Sequence, residues 1–161
     1  MQGYYDALAA VEEARQAGVF VVSSSLEDSF GFRFQGLGRA PIPNPDQFLS
    51  YRPGHYWASD FYARPELYAE TLFVPMDSRS MASMTGPEDY MFNRDGGISW
   101  AIPYIAGVYA LAVQVEPAIT PEEFWATALD KAREVTFEEN GQSFTLRHVI
   151  DPAAILQAFQ E

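Results

Sequence analysis

The residues best suited to chemistry lie where a serine follows two glycines at the start of a long apolar stretch. Ser99 comes after Gly96 and Gly97, and the run from Trp100 to Val115 predicts a largely buried helix that begins near Ser99. The first turn of a helix has backbone N–H groups without helical partners and a partial positive charge. These are the requirements of an acyl-transfer nucleophile with half an oxyanion hole. The alternative is that Ser99 is only an N-cap residue.

The other residue types limit what can assist Ser99. The 161 residues include no cysteine, which excludes disulfides, thiolate metal sites and a cysteine nucleophile. With two histidines, His55 and His148, we expect no multi-histidine metal centre. A loose acidic set could hold calcium, but it lacks a ligand loop of defined spacing, so we expect a solvated acidic face and no cofactor. The set consists of Asp77, Glu88, Asp89 and Asp95.

Charge and hydropathy restrict the partners. The 22 acidic residues oppose 10 basic ones, and the formal charge of −12 disfavours binding to nucleic acid. Pro103 and Gly107 interrupt the longest apolar stretch, so we expect no membrane span. The first residues lack the basic and apolar regions of a secretory signal. With 48% apolar residues, residues 1–161 are predicted to form one folded domain.

Helix and strand signals alternate along the chain, which predicts an α/β domain. Apolar residues at helical spacing predict a first helix that ends at Gly18, and Val19–Val22 follows as a short buried strand. A second buried strand is predicted at Thr71–Val74. Strands without polar alternation are typical of a sheet covered on both faces. We therefore expect a three-layer α/β/α arrangement around a mainly parallel sheet.

Residues 26–70, between these two strands, are rich in glycine, proline and aromatic residues and show no clear periodicity. Long segments of this kind are commonly functional or linker-like, and a flexible linker has no use for so many aromatic rings. We expect an ordered surface loop that contributes to recognition. Tyr51, Trp57 and Tyr62 could stack on a peptide or a sugar, or could fill the interior of the loop.

Local signals predict the C-terminal third in more detail. Thr120–Glu123 reads as a capping box with proline in the first turn, and Asp151 followed by Pro152 starts another helix in the same way. Between these helix starts, Asn140 and Gly141 separate two strand-like runs, which predicts a β-hairpin with a type I′ turn.

The serine region resembles the signature of the subtilisin-like serine peptidases, the subtilases, in which Gly-Thr-Ser-Met-Ala-x-Pro-x-x-Ala-Gly surrounds the nucleophile. Two positions differ, because Ile98 stands in place of Thr and Trp100 in place of Met. Residues 4–25, 74–78, 117–124 and 149–154 are also similar to segments that flank the serine helix in that family. The resemblance implies a subtilisin-like fold with Ser99 as the nucleophile. The matching residues are Gly97, Ser99, Ala101, Pro103, Ala106 and Gly107.

The chain departs from the family in two places. Subtilases carry their catalytic Asp and His upstream of the serine, in a half-domain that is absent here, and neither His55 nor His148 has the family's His-Gly-Thr context. Where the family has Ala-Ala-Gly-Asn at the oxyanion hole, this chain has Ser-Ser-Leu-Glu. The residues that remain for oxyanion or substrate binding are Ser25, Glu27 and Gly97. A carboxylate would repel the oxyanion, so Glu27 is expected to point elsewhere.

The resemblance implies the C-terminal part of a serine endopeptidase, which would need the missing N-terminal half of its domain and a peptide or protein substrate. The isolated chain is expected to turn over little. The alternative is a non-catalytic domain that binds a peptide or a partner on the same framework. A Gly-x-Ser-x-Gly hydrolase is disfavoured by Ala101. Loss of a neighbouring strand would expose the edge of Val19–Val22, so we expect self-association through that edge.

Overall fold

The computed structural model describes residues 2–24, 31–39, 51–53, 64, 66 and 69–160. These residues form four α-helices and seven strands. The helices are α1 (Gln2–Gln16), α2 (Ala101–Val115), α3 (Pro121–Asp130) and α4 (Pro152–Ala158). The strands are β1 (Phe34–Arg39), β2 (Tyr51–Pro53), β3 (Leu72–Pro75), β4 (Arg79–Ala82), β5 (Tyr90–Asn93), β6 (Arg133–Glu139) and β7 (Gln142–Val149).

Five of the strands form one mixed sheet in the order β2-β1-β3-β7-β6. The three central strands are parallel, and the outer strands β2 and β6 run antiparallel to their neighbours. Strand β3 at the centre is buried along its whole length, as the unbroken apolar run around Phe73 predicts. The predicted α/β class is confirmed, with a sheet that is parallel at its centre only.

The helices of the described residues pack on one face of the sheet. Phe34, Leu72 and Val74 lie in one core cluster with side chains from all four helices. The opposite face holds a second cluster around Leu37 and Phe73, whose other members come from the β6–β7 hairpin and from no helix. The described part of the chain therefore has two layers, whereas the sequence predicted three.

The predicted strand at Val19–Val22 is wrong. No strand forms between α1 and residue 24, and Val19 is 51% exposed. Phe20 instead packs among aromatic rings of other elements, with its ring centroid 4.7 Å from that of Tyr109 and 5.6 Å from that of Phe124. The apolar run is explained by these contacts rather than by strand pairing. The sheet edge predicted at this place is therefore not present.

Two strands lie inside the segment that was predicted to be one long loop. Strand β1 is mostly buried and pairs in parallel with β3, and β2 pairs with β1 on the outer side. Gly36, in the middle of β1, lets another chain segment approach closely, because an added Cβ there would lie 2.3 Å from the sulfur of Met76. The packing requires glycine at this position, and the same glycine makes the strand harder to predict from the sequence. Trp57 and Tyr62 lie outside the described residues.

The local signals of the C-terminal third are confirmed. Thr120 caps α3 in a reciprocal capping box with Glu123, and hydrogen bonds from the backbone and hydroxyl of Thr120 lower the pKa of Glu123. Asp151 caps α4 by accepting a hydrogen bond from the backbone N–H of Ala154. Asn140 and Gly141 both have positive φ, as a type I′ turn between β6 and β7 requires.

Helix α2 forms where it was predicted, but it is not largely buried. Four of its 15 residues are buried, and Leu111 is 46% exposed. The helix includes Pro103 near its first turn and continues through Gly107, although these two residues were expected to rule out a membrane span. The stretch Ile98–Val115 is thus long and apolar enough to cross a membrane by length and composition, a test that core helices of water-soluble proteins also pass.

Candidate active site

Ser99 lies in a short 3-10 turn, Ile98–Trp100, which leads directly into α2. The residue is exposed, and it is the N-cap of neither helix, because Gly97 caps the turn and Trp100 occupies the cap position of α2. The simpler interpretation of Ser99 as an N-cap residue is therefore wrong. Its hydroxyl has no hydrogen-bond partner in the described part of the chain. The serine is presented to solvent at the N-terminal end of an apolar helix.

The turn that carries Ser99 is fixed by the segment that follows β3. The carboxylate of Asp77 accepts a hydrogen bond from the backbone N–H of Gly96 at 2.8 Å, and the backbone N–H of Ser78 donates to the carbonyl of Arg94 at 3.0 Å. Gly97 continues from there in an extended conformation, and its carbonyl accepts a hydrogen bond from Trp100 N–H at 2.8 Å. The end of a central parallel strand thus supports the serine turn.

A cavity of about 460 Å³ opens beside Ser99, within the usual size range of ligand pockets. Strand β4 forms one wall and the start of α2 forms the other. The guanidinium group of Arg79 lies 4.3 Å from the ring centroid of Tyr104 and ties the two walls together. A hydrogen bond also joins the guanidinium group of Arg79 to the carbonyl of Pro75. The lining residues are Arg79, Ser80, Met81, Ser99, Trp100, Pro103 and Tyr104.

The β4–β5 hairpin beyond the cavity exposes apolar side chains on both of its faces. Met81 lies opposite Met91 in the register, and Ser80 lies opposite Phe92. The two strands pair only with each other among the described residues. A two-stranded ribbon with this much exposed apolar surface is typical of a contact region rather than of a solvated loop. The exposed residues are Met81, Met84, Tyr90, Met91 and Phe92.

Of the other residues predicted for the site, Gly97 caps the turn that carries Ser99. Ser25, Glu27 and His55 lie outside the described residues. His148 is on β7 and is not among the described residues that line the cavity. Burial lowers the pKa of His148, with a further decrease from Arg147 and an opposing effect of Glu134. Ser99 therefore has no general base in the described part of the chain.

Two of the four acidic residues considered as calcium ligands, Asp77 and Asp89, make hydrogen bonds within the chain. Asp77 is buried and bonds to Gly96, and the carboxylate of Asp89 accepts a hydrogen bond from the hydroxyl of Thr85 at 2.6 Å. Within the described residues, no group of three potential metal ligands occurs. The groups around Ser99 that could contact a ligand are its own hydroxyl, the guanidinium group of Arg79 and the apolar walls of the cavity.

Sequence reasoning missed the β4 wall of the cavity. Gly86 and Pro87 between two short apolar runs are a turn signal that could have indicated the β4–β5 hairpin. The pairing of Arg79 with Tyr104 has no sequence signal, since the two residues belong to separate elements. No protein-family model matches the chain. A comparison with curated proteins also finds no match.

Proposed function

We propose that this chain is the C-terminal part of a subtilisin-like serine endopeptidase in which Ser99 is the nucleophile. The observation that carries the proposal is the exposed hydroxyl of Ser99 in the turn before α2, beside a cavity of ligand size. The glycine, alanine and proline pattern around the serine supports the same assignment. The complete domain would have the three-layer α/β/α arrangement of that family.

The reaction would be acyl transfer to serine. The oxygen of Ser99 forms a bond to the peptide carbonyl carbon, and its proton passes to an upstream histidine oriented by an upstream aspartate. The C–N bond then breaks as the histidine gives this proton to the leaving amine. Water hydrolyses the resulting ester by the same route and restores the hydroxyl. Both upstream residues would come from the part of the domain that is absent here.

The exposed face of α2 supports the need for a further part of the domain. Ala106, Ala110 and Leu111 of this apolar helix are exposed, and an added Cβ at Gly107 would meet no atom within 4 Å. A helix that is apolar on all sides is usually buried on all sides. The exposed apolar side of α2 therefore indicates a surface that another segment covers. We propose that the missing N-terminal half covers this face.

The segment proposed to stabilise the oxyanion departs from the family pattern, because Glu27 stands where the family has asparagine. The donors proposed here are the backbone N–H of Ser99 and groups near Ser25, with Gly97 leaving room for the substrate backbone. Glu27 would have to point away, because its charge opposes that of the oxyanion. Glu27 in place of the family's asparagine lowers the expected catalytic rate without changing the class of reaction.

Fluorophosphonate labelling tests the proposal. The full-length gene product should be labelled, Ser99→Ala should abolish the labelling, and residues 1–161 alone should remain unlabelled. Ser80→Ala is the matched control, because Ser80 is exposed and lines the same cavity. Absence of labelling in a folded full-length protein would refute the proposal, as would labelling that persists in Ser99→Ala.

A second candidate function is non-catalytic binding of a peptide or partner protein. The exposed apolar residues of the β4–β5 hairpin favour it, because patches of this kind commonly mark interaction sites. Under this alternative, a folded full-length protein would resist labelling, and Met91→Ser with Phe92→Ser would abolish peptide binding. The net charge of −12 would favour basic peptides over acidic ones.

A further inference from the structure

We infer that Asp77 is a positioning residue for Ser99, because its buried carboxylate holds the backbone turn that presents the serine. This inference rests on the proposed function, since it gives Asp77 a catalytic consequence only if Ser99 reacts. It differs from the calcium-binding role considered from the sequence. The carboxylate acts on a backbone N–H instead of a metal ion.

The hydrogen bond from Gly96 to Asp77 joins the segment before Ser99 to the segment after β3. Asp77 is 7% exposed, and its Oδ1 lies 2.8 Å from the backbone nitrogen of Gly96, 19 residues further along the chain. A hydrogen bond from a backbone N–H to a carboxylate is shorter and stronger than one between neutral groups. Loss of the carboxylate would leave this N–H group, which is partly buried, without its acceptor.

Close packing reinforces this hydrogen bond. An added Cβ at Gly96 would lie 1.8 Å from the carbonyl oxygen of Met76, so the two backbones are in direct contact. On the other side of Asp77, Ser78 N–H donates to the carbonyl of Arg94 at 3.0 Å. The serine turn is thus held to the end of β3 by contacts on both sides of the carboxylate.

The Asp77 segment is itself anchored to the central sheet. The hydroxyl of Ser78 donates to the carbonyl of Arg39 at 2.7 Å, and the guanidinium group of Arg39 donates to the carbonyl of Ser78 at 2.6 Å. Arg39 is the last residue of β1, which pairs with β3. Two hydrogen bonds therefore attach the Asp77 segment to the end of a sheet strand.

The hydrogen bond between Asp77 and Gly96 lies close to Ser99 along the chain. The N–H of Gly96 is fixed by Asp77, and the carbonyl of Gly97 is fixed by Trp100 N–H at 2.8 Å. Ser99 lies within the turn that this second bond closes. Because a displacement of about 1 Å can cost roughly 100-fold in rate, release of Gly96 is expected to slow attack by Ser99.

The test measures two properties of the full-length protein: the rate constant for fluorophosphonate labelling and the hydrogen exchange of the Gly96 amide. Asp77→Ala should slow labelling at least about 10-fold and accelerate exchange at Gly96. Asp77→Asn keeps an oxygen that can accept the hydrogen bond, so its labelling rate should stay within about threefold of wild type. Asp95→Asn removes an exposed carboxylate from the same segment and should change neither property.

Three outcomes would overturn the inference. Labelling of Asp77→Ala at the wild-type rate, with exchange at Gly96 accelerated, would show that the hydrogen bond does not position the serine. Labelling of Asp77→Asn as slow as that of Asp77→Ala would show that hydrogen-bond acceptance is not the cause. If Asp77→Ala does not fold, an unchanged labelling rate in Asp77→Glu, which displaces the carboxylate, would likewise overturn it.

Failure of the proposed function would be seen separately. A folded wild-type protein that is not labelled refutes both the nucleophile and the positioning role. Exchange at Gly96 in Asp77→Ala would still show whether the carboxylate holds the turn. The two measurements therefore distinguish an inactive serine from a serine that Asp77 does not position.

Discussion

The β6–β7 and β4–β5 hairpins, both within the described residues, lie in opposite environments. The β6–β7 hairpin joins the central sheet, and its inward residues Val135, Phe137 and Leu146 are buried. The β4–β5 hairpin stands apart as a two-stranded ribbon and exposes Met91 and Phe92 beside the cavity of Ser99. The first hairpin contributes to the core and the second leaves apolar surface available for contact. Apolar content alone therefore does not distinguish a hairpin that joins the core from one that exposes its apolar side chains.

Replacement of a buried residue in the β6–β7 hairpin and of an exposed residue in the β4–β5 hairpin should separate the two most strongly. Leu146→Ala removes a fully buried side chain and should lower the free energy of unfolding by about 3 kcal/mol. Met91→Ala, at an exposed position of β5, should change it by less than about 0.5 kcal/mol. Urea denaturation of both variants measures the difference. Equal losses would contradict the contrast between the hairpins.

The base of the β4–β5 hairpin should be less tolerant than its strands. Gly96→Ala would force a methyl group against the carbonyl oxygen of Met76 and should cost about 2 kcal/mol of stability. Gly97→Ala is the matched control, because a Cβ there meets no atom within 4 Å and φ is −150°. Thermal unfolding compares the two variants. A neutral Gly96→Ala would show that the close backbone contact is absent.

The turn of the β6–β7 hairpin should show a smaller effect. Gly141 has φ of 76°, so Gly141→Ala should lose about 1 kcal/mol. Gly107→Ala in α2 is a suitable control, since the added methyl group meets open space and alanine favours helix. Urea denaturation should show a loss in the first variant and none in the second. A neutral Gly141→Ala would contradict the type I′ turn.

The smallest expected effect is a pH dependence at His148 in β7. Because burial lowers the pKa of His148 from its ordinary 6.5, the unfolded chain takes up a proton at higher pH than the folded chain. Folded stability therefore decreases as the pH falls through 6.5 and levels off below the lowered pKa. His148→Asn should reduce this loss by well under about 1 kcal/mol, since the ring is partly solvated.

Asparagine is the suitable replacement because His148 has φ of 57°, a conformation that asparagine tolerates. Urea denaturation of the wild type and His148→Asn near pH 7 and pH 5 measures the change in unfolding free energy with pH. The contributions of the other titratable groups, which the two proteins share, cancel in the comparison. An identical pH dependence in the two proteins would exclude His148 as a source.

Signals contained within a few residues predicted structure well. The capping box at Thr120, the cap at Asp151 and the Asn140–Gly141 turn all form as the sequence indicates. Each depends on hydrogen bonds or backbone preferences of adjacent residues. The central strand β3 was also predicted, because it is apolar throughout and ends at a proline.

Features that depend on distant partners were not predicted. The run after α1 is apolar because Phe20 packs against Tyr109 and Phe124, and an apolar run does not reveal whether burial occurs in a strand. Strand β1 was not predicted, because Gly36 in its middle weakens the strand pattern. The close approach of Met76 explains why glycine occupies this position. At the candidate site, the sequence singled out Ser99 as a candidate, and the hydrogen bond by which Asp77, 22 residues upstream, holds the preceding Gly96 has no sequence signal.

The central claim is that Ser99 is the reactive nucleophile, and location of the covalent adduct tests it most directly. The full-length protein would be treated with a fluorophosphonate, digested and examined by peptide mass spectrometry. The account predicts one modified residue, Ser99, with Ser78 and Ser80 unmodified although both lie in the neighbouring segment. An adduct on another serine, or no adduct on a folded protein, would contradict it.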